Sequence, residues 1–73
     1  NFNYFVNANN QLNLSANTAM ESVVLYNVLG QQVVSQKLEN TNEIVNISSL
    51  NAGLYIATVS IDGNTKSFKI AKK

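Results

Sequence analysis

Apolar and polar residues alternate along most of this chain with the period of two that is typical of β-strands. Near the amino terminus the alternation covers residues 2–7 and 11–16, and each segment predicts a half-buried edge strand. Residues 22–28 are apolar on both faces, which predicts a central strand covered on both sides. Further strands are predicted at 31–38, 43–47, 54–61 and 65–71.

Turn-forming residues separate these segments. Leu29-Gly30-Gln31 predicts a hairpin connection in which Gly30 has a positive φ. Asp62-Gly63 is the strongest short-range hairpin signal in the chain, and the polar segment 39–42 predicts another hairpin turn. About seven short strands at spacings near ten residues predict an all-β fold, an antiparallel immunoglobulin-like β-sandwich. We expect residues 1–73 to form one domain.

The segment from Leu50 to Tyr55 has the spacing of a tyrosine corner. In such a corner a tyrosine just inside a strand turns its hydroxyl back onto the backbone of the preceding loop. Leu50 would then plug the end of the sandwich beneath Tyr55. An ordinary core tyrosine is the alternative.

Composition narrows the possible chemistry. The chain has 73 residues, of which 12% are charged and 13 are Asn, and it contains no Cys, His, Pro or Trp. Without imidazole or thiol groups, the commonest catalytic, zinc and disulfide arrangements cannot form. The few carboxylates lie in turns or at strand ends, and a small sandwich has little room for the cleft that a glycosidase pair needs. We therefore expect no enzymatic activity, no metal and no cofactor, with calcium binding by the Glu39–Glu43 turn as a weak alternative.

Charge is distributed unevenly. Residues 1–65 carry one lysine and four acids, a net of −3, whereas residues 66–73 carry four lysines and no acid, a net of +4. These lysines would protect the edge of a last strand from aggregation, or they would serve as a C-terminal address read by a receptor. The chain has no Arg, which disfavours nucleic-acid binding. Its apolar runs are too short for membrane insertion, which needs about 20 residues.

Four sequence motifs, taken in their order along the chain, resemble those of a known protein family. They are Val24–Val34, which enters a Leu-Gly turn, the Ser-Leu-Asn-Ala-Gly-Leu-Tyr run at 49–55, Asp62-Gly63, and the lysine-rich end Ser67–Lys73. Over the whole chain this order resembles the type A C-terminal sorting domain of the type IX secretion system of Bacteroidota. One difference lies near the start, where the family's usual Tyr-Pro-Asn-Pro is replaced by Tyr4-Phe5-Val6-Asn7. Without proline, this segment is expected to pair as an ordinary strand.

The resemblance implies a non-catalytic secretion signal. Such a domain follows an N-terminal cargo domain into the periplasm, docks on the type IX translocon, and is usually removed by a surface sortase as the cargo is anchored at the outer-membrane surface or secreted. The chain would then be a piece of a larger secreted protein, which also fits its start at Asn1 rather than at Met.

The resemblance also places the recognition surface in three segments. Its predicted members are Leu29, Gly30, Gln31, Asn51, Ala52, Gly53, Lys69, Lys72 and Lys73. Turn geometry alone is the alternative role for the two glycines, and a core plug is the alternative for Leu29. A different class of function also stays open, an immunoglobulin-like surface-binding or adhesive module that binds carbohydrate through Asn side chains and an exposed Tyr26 or Phe5.

Overall fold

The computed structural model describes residues 2–73, which form seven β-strands and no helix. The strands are β1 (Asn3–Val6), β2 (Gln11–Ser15), β3 (Met20–Tyr26), β4 (Gln32–Lys37), β5 (Asn42–Asn46), β6 (Gly53–Ile61) and β7 (Asn64–Lys72). Their ends lie within two residues of the predicted ones. Within this part of the chain, no helix is long and apolar enough to cross a membrane.

The strands form two antiparallel sheets. The three-stranded sheet has the order β1-β2-β5, and the four-stranded sheet has the order β4-β3-β6-β7. This arrangement confirms the predicted all-β sandwich of immunoglobulin-like size.

The hydrophobic core lies between the sheets and is built from alternate strand positions. In β6, for example, Tyr55, Ala57 and Val59 are buried, whereas Leu54 and Ile56 on the opposite face are exposed. The largest fully buried side chains come from both sheets and from the residue that follows β5: Leu12, Met20, Leu25, Ile47, Val23, Val45 and Val59. Because burial of each such side chain contributes about 1.5–3 kcal/mol, this core stabilises a chain that has no disulfide.

Both glycine-containing hairpins are present as predicted. Gly30 has a φ of 83°, and its amide donates to the carbonyl oxygen of Asn27 at 3.0 Å, which closes the β3–β4 turn. At the other end of the sheet, Ile61 pairs with Asn64 around Asp62-Gly63. The two turns join β3 to β4 and β6 to β7, and the pairing of β3 with β6 unites the four strands in one sheet.

Two predictions about strand neighbours are wrong. β2 lies between β1 and β5, so it is a central strand rather than an edge strand. β5 pairs with β2 and not with β4, so residues 38–41 cross from one sheet to the other and do not form a hairpin turn. The alternation of residues in a strand defines its buried face but does not identify its neighbour, which is the reason for both errors.

The central strand β3 agrees with the prediction in position but not in its degree of burial. It lies between β4 and β6, as expected. Its outer face is not covered by a second layer, since Val24 and Tyr26 are half-buried there. Val28, which was assigned to this strand, lies in the following turn and is 76% exposed. The outer face of the four-stranded sheet is therefore accessible to solvent.

Candidate functional site

The three predicted recognition segments approach one end of the four-stranded sheet. The register places Tyr26 opposite Ile56 and Gly53 opposite Lys72. The end of β3, the start of β6 and the end of β7 consequently lie side by side. We define the C-terminal end of the sandwich as the 27–31 turn, the 47–52 connection with Gly53, and residues 72–73.

An asparagine side chain holds the 27–31 turn in place. The Oδ1 atom of Asn27 accepts hydrogen bonds from the backbone amides of Leu29 and Gln31, each at 3.0 Å. Leu29 is thereby presented on an ordered backbone with its side chain 80% exposed, so the alternative role of a core plug is wrong. No atom lies within 4 Å of the position that a Cβ of Gly30 would take. Glycine is favoured there by its left-handed φ and not by a close contact.

The 47–52 connection is anchored to the core at two points. The hydroxyl of Tyr55 donates to the carbonyl oxygen of Asn51 at 2.6 Å, which is the geometry of a tyrosine corner. Leu50 is half-buried and packs against the core cluster. Asn51, Ala52 and Gly53 are exposed, and Gly53 has a φ of 153° with open space beside it. Residues 51–53 are therefore exposed, while Tyr55 and Leu50 hold the connection against the core.

Lys72 joins the last strand to this connection. Its Nζ atom donates to the carbonyl oxygen of Ser48 at 3.1 Å and to that of Leu50. The side chain is half-buried. The ammonium of Lys72 is therefore engaged within the domain, where it satisfies carbonyl groups that the turn leaves without a strand partner.

The other two predicted lysines have different surroundings. Lys69 is exposed on β7 opposite Ile56, several residues away from the C-terminal end. Lys73 borders a shallow groove of about 430 Å³ whose opposite wall is the 7–10 turn. The lysines consequently do not form one compact positive patch.

A second turn at the same end has the geometry of the 27–31 turn and was not predicted as part of the site. In the 7–11 turn the leading asparagine likewise accepts two backbone amide hydrogen bonds and donates from Nδ2 to the glutamine at the fifth position. Asn10 and Gly30, at the fourth position of each turn, have φ values of 58° and 83°. The pattern Asn-x-x-(Asn or Gly)-Gln occurs at both places in the sequence and is the signal that predicts the matched turns.

One acidic side chain, that of Glu43, binds backbone amides. The Oε2 atom of Glu43 accepts hydrogen bonds from the backbone amides of Glu39 at 2.9 Å and Asn40 at 3.0 Å. The hydrogen bond from Glu39 is the main reason why the pKa of Glu43 lies below its usual value. Within residues 2–73, no group of three or more acidic, His or Cys side chains is placed to hold a metal ion.

Comparison with known proteins gives one match. A family model described as "Secretion system C-terminal sorting domain" matches residues 7–73. Comparisons with curated proteins and with solved structures gave no significant match. The matched segment contains β2 to β7 and the whole C-terminal end, whereas β1 lies before it.

Proposed function

The chain belongs to the family of secretion system C-terminal sorting domains, and from this premise we propose that the C-terminal end of the sandwich is the surface that the secretion machinery recognises. Membership makes the chain a C-terminal sorting signal for type IX secretion, which interacts with that machinery as the tail of a cargo. Such a signal implies export across the outer membrane to the cell surface or beyond it. Domains of this family are non-catalytic in general.

The observation that best supports this recognition surface is that two exposed segments, distant in sequence, lie together at one end of the sandwich. Leu29 is an exposed apolar side chain on an ordered turn, and the backbone of 51–53 is exposed close by. Rigid presentation lowers the entropic cost of binding, and an apolar anchor supplies binding energy when a partner removes it from water. In this proposal Lys69 and Lys73 steer the approach of the partner, while Lys72 holds the 47–52 connection in its binding geometry.

The finer steps of the export route are part of the proposal. The domain would follow an N-terminal cargo domain through the periplasm and dock on the type IX translocon. A surface sortase would then remove residues 1–73 as a single unit while the cargo is anchored or released. The compact fold supports this, because a small sandwich with a buried core offers a folded shape for the translocon to bind.

An export assay tests the sorting function. Residues 1–73 are fused to the end of a reporter that carries an ordinary signal peptide, in a host with the type IX machinery. The reporter should reach the cell surface, and mass spectrometry of the exported product should show loss of the domain. Removal of Phe68–Lys73 should hold the reporter in the periplasm. Retention of the intact fusion in the periplasm would contradict the sorting function.

A matched pair of variants tests the position of the recognition surface. Leu29→Asn changes an apolar residue that is 80% exposed at the C-terminal end, and Ile44→Asn changes one that is 54% exposed on the other sheet. Neither side chain belongs to the core, so both variants should fold. Export should fall in Leu29→Asn and stay at the wild-type level in Ile44→Asn. Equal export of the two variants would place recognition elsewhere on the domain.

Glycan binding is the second candidate function, favoured by one surface. Phe5 is 60% exposed on the outer face of the three-stranded sheet, in one row with Asn13 and Ile44. An aromatic ring beside an amide presents both an apolar surface and hydrogen-bonding groups. Specific retention on a glycan array that is lost in Phe5→Ala, together with failure of the fusion to be exported, would support this function instead. Tyr26, the other predicted aromatic, is half-buried.

A further inference from the structure

β7 provides the longest uninterrupted free edge of the two sheets. It has nine residues, lies at the end of the four-stranded sheet, and pairs with β6 without a register shift. The opposite edge, β4, has six residues, and its pairing with β3 is interrupted by a register shift between Leu25 and Tyr26. In the other sheet the edge strands have four and five residues. A strand that pairs with this domain would find its most regular template at β7.

The pairing pattern identifies which backbone groups of β7 are free. The two-residue turn at 62–63 makes Ile61 and Asn64 a hydrogen-bonded pair, and bonded and non-bonded pairs alternate from there along an antiparallel ladder. The amide and carbonyl groups that point away from β6 are therefore those of Thr65, Ser67, Lys69 and Ala71. They form a regular row of donors and acceptors along the open side of β7.

The charge of this edge selects among possible strands. Residues 66–73 contain four lysines and no acid. Across the β6–β7 pair, Lys66 faces Val59 and Lys69 faces Ile56, so neither has an acidic cross-strand partner. Like charges placed opposite each other in a sheet are destabilising, whereas opposite charges are stabilising. Lys66 lies on the inner face with the buried Val59, so Lys69 is the lysine on the outer face of β7, and its charge favours an acidic residue opposite it in an added strand.

Aromatic rings line the inner side of the same edge. Phe68 points from β7 toward the core and stacks on Tyr4 with 3.9 Å between ring centroids, and Phe2 lies 5.5 Å from Phe68. Tyr4 is nevertheless 44% exposed. A strand added to β7 would place every second side chain on this inner side, where an apolar residue would cover the ring of Tyr4.

We propose that the free edge of β7 binds an extended segment of a partner protein by strand addition, and that this segment alternates acidic residues on the outer face with apolar residues on the inner face. Main-chain hydrogen bonds to residues 65–71 would give affinity, while Lys69 and Tyr4 would select the side chains. The inference rests on the proposed sorting function for the source of the partner, which is the secretion machinery. Binding to the edge is a property of the domain itself and is tested without that machinery.

The probe is a short peptide of alternating glutamate and valine, compared with one of alternating lysine and valine. Amide hydrogen exchange followed by NMR locates the bound strand. Saturation with the glutamate peptide should slow exchange at Ser67, Lys69 and Ala71 by about tenfold or more, because these amides become hydrogen-bonded. The lysine peptide should leave them unchanged. Slowed exchange on β4 instead, or glutamate-peptide binding without slowed exchange on β7, would overturn the proposal.

Two matched pairs of variants use β4 as an internal control. The hydrogen bond from the Leu38 amide to the Glu21 carbonyl sets the alternation on β4, which leaves the amides of Ser35 and Lys37 free. Ser67→Pro should weaken glutamate-peptide binding by about tenfold or more, and Ser35→Pro by less than about twofold.

Lys69→Glu and Lys37→Glu form the second pair and keep every backbone donor. The Lys69→Glu variant should bind the lysine peptide more tightly than the glutamate peptide, whereas Lys37→Glu should keep the wild-type order of affinities. An unchanged preference in a folded Lys69→Glu variant would overturn the proposal.

The outcomes are separable from those of the export assay. A wild-type fusion that is exported while the peptide does not bind would reject strand addition and keep the sorting function, and the reverse result would reject the sorting function alone.

Discussion

The side-chain ammonium of Lys72 donates a hydrogen bond to the carbonyl oxygen of Leu50, 22 residues earlier in the chain. This contact joins the end of β7 to the connection that enters β6. Both elements carry predicted recognition residues, so their positions depend on each other. The proposed recognition surface therefore combines segments that are distant in sequence and are held together by the fold.

Replacing Lys72 with Met should loosen the connection without removing the apolar part of the side chain. The carbonyl groups of Ser48 and Leu50 would lose a charged donor, so the free energy of unfolding should fall by about 1 kcal/mol. Amide exchange in 48–52 should become faster. Lys69→Met removes an exposed lysine from the same strand and should change neither quantity. Equal effects of the two variants would show that Lys72 does not hold the connection.

The tyrosine corner makes a second stability prediction. Tyr55→Phe keeps the buried ring and removes the hydroxyl that donates to the Asn51 carbonyl. The expected loss is about 1–2 kcal/mol in the free energy of unfolding, measured by urea titration. Tyr26→Phe, on the outer face of the same sheet, should cost much less. A loss near zero for Tyr55→Phe would mean that the hydrogen bond contributes no net stability.

Local sequence signals predicted most of the fold, because strands and tight turns depend on nearby residues. The alternation in β6 and the Asp62-Gly63 turn, for instance, determine a hairpin within about twenty residues. The pairing of β5 with β2 joins segments about thirty residues apart, and periodicity does not encode it. The same limit explains why Leu29 could be predicted as a turn residue while its exposure could not.

The sequence predicted which segments belong to the candidate site, but not how these segments are arranged in space. The motifs indicated which residues of 27–31 and 51–53 to consider, but their common position follows from the antiparallel register of β3, β6 and β7. The role of Lys72 depends on a contact between distant residues, so its sequence position gave no indication that its ammonium is engaged. The repeated asparagine turns, by contrast, have a visible local pattern.

The aromatic cluster beside β7 couples the first strand to the last. Tyr4 belongs to β1, which lies before the matched family segment, and it stacks on Phe68. In a double-mutant cycle, Tyr4→Ala and Phe68→Ala should show a coupling energy of about 0.5–1.5 kcal/mol. The control cycle pairs Phe68→Ala with Phe5→Ala, whose side chain lies on the opposite face of β1, and should give no coupling. Additive effects of Tyr4→Ala and Phe68→Ala would exclude a stabilising role for the stack.

The crossing between the two sheets is organised by a carboxylate. The carboxylate of Glu43, which lies in β5, accepts hydrogen bonds from the backbone amides of Glu39 and Asn40. These two residues lie just before β5 begins to pair with β2. These bonds favour the charged form of the side chain, which is why the pKa of Glu43 is lowered. A carboxyl group whose pKa is lower in the folded state than in the unfolded state makes stability depend on pH.

The sign of that dependence follows from the direction of the pKa shift. The contribution of Glu43 is fully present above the unfolded-state pKa and is lost as the pH falls through the lowered folded-state pKa. Urea titrations across the acid range should therefore show a steeper loss of stability in the wild type than in Glu43→Gln, which cannot gain a proton. Glu39→Gln removes a neighbouring carboxylate but keeps both amide bonds, so it should retain the wild-type slope. If Glu43→Gln and the wild type lost stability in parallel, the two amide hydrogen bonds would not be the source of the acid sensitivity.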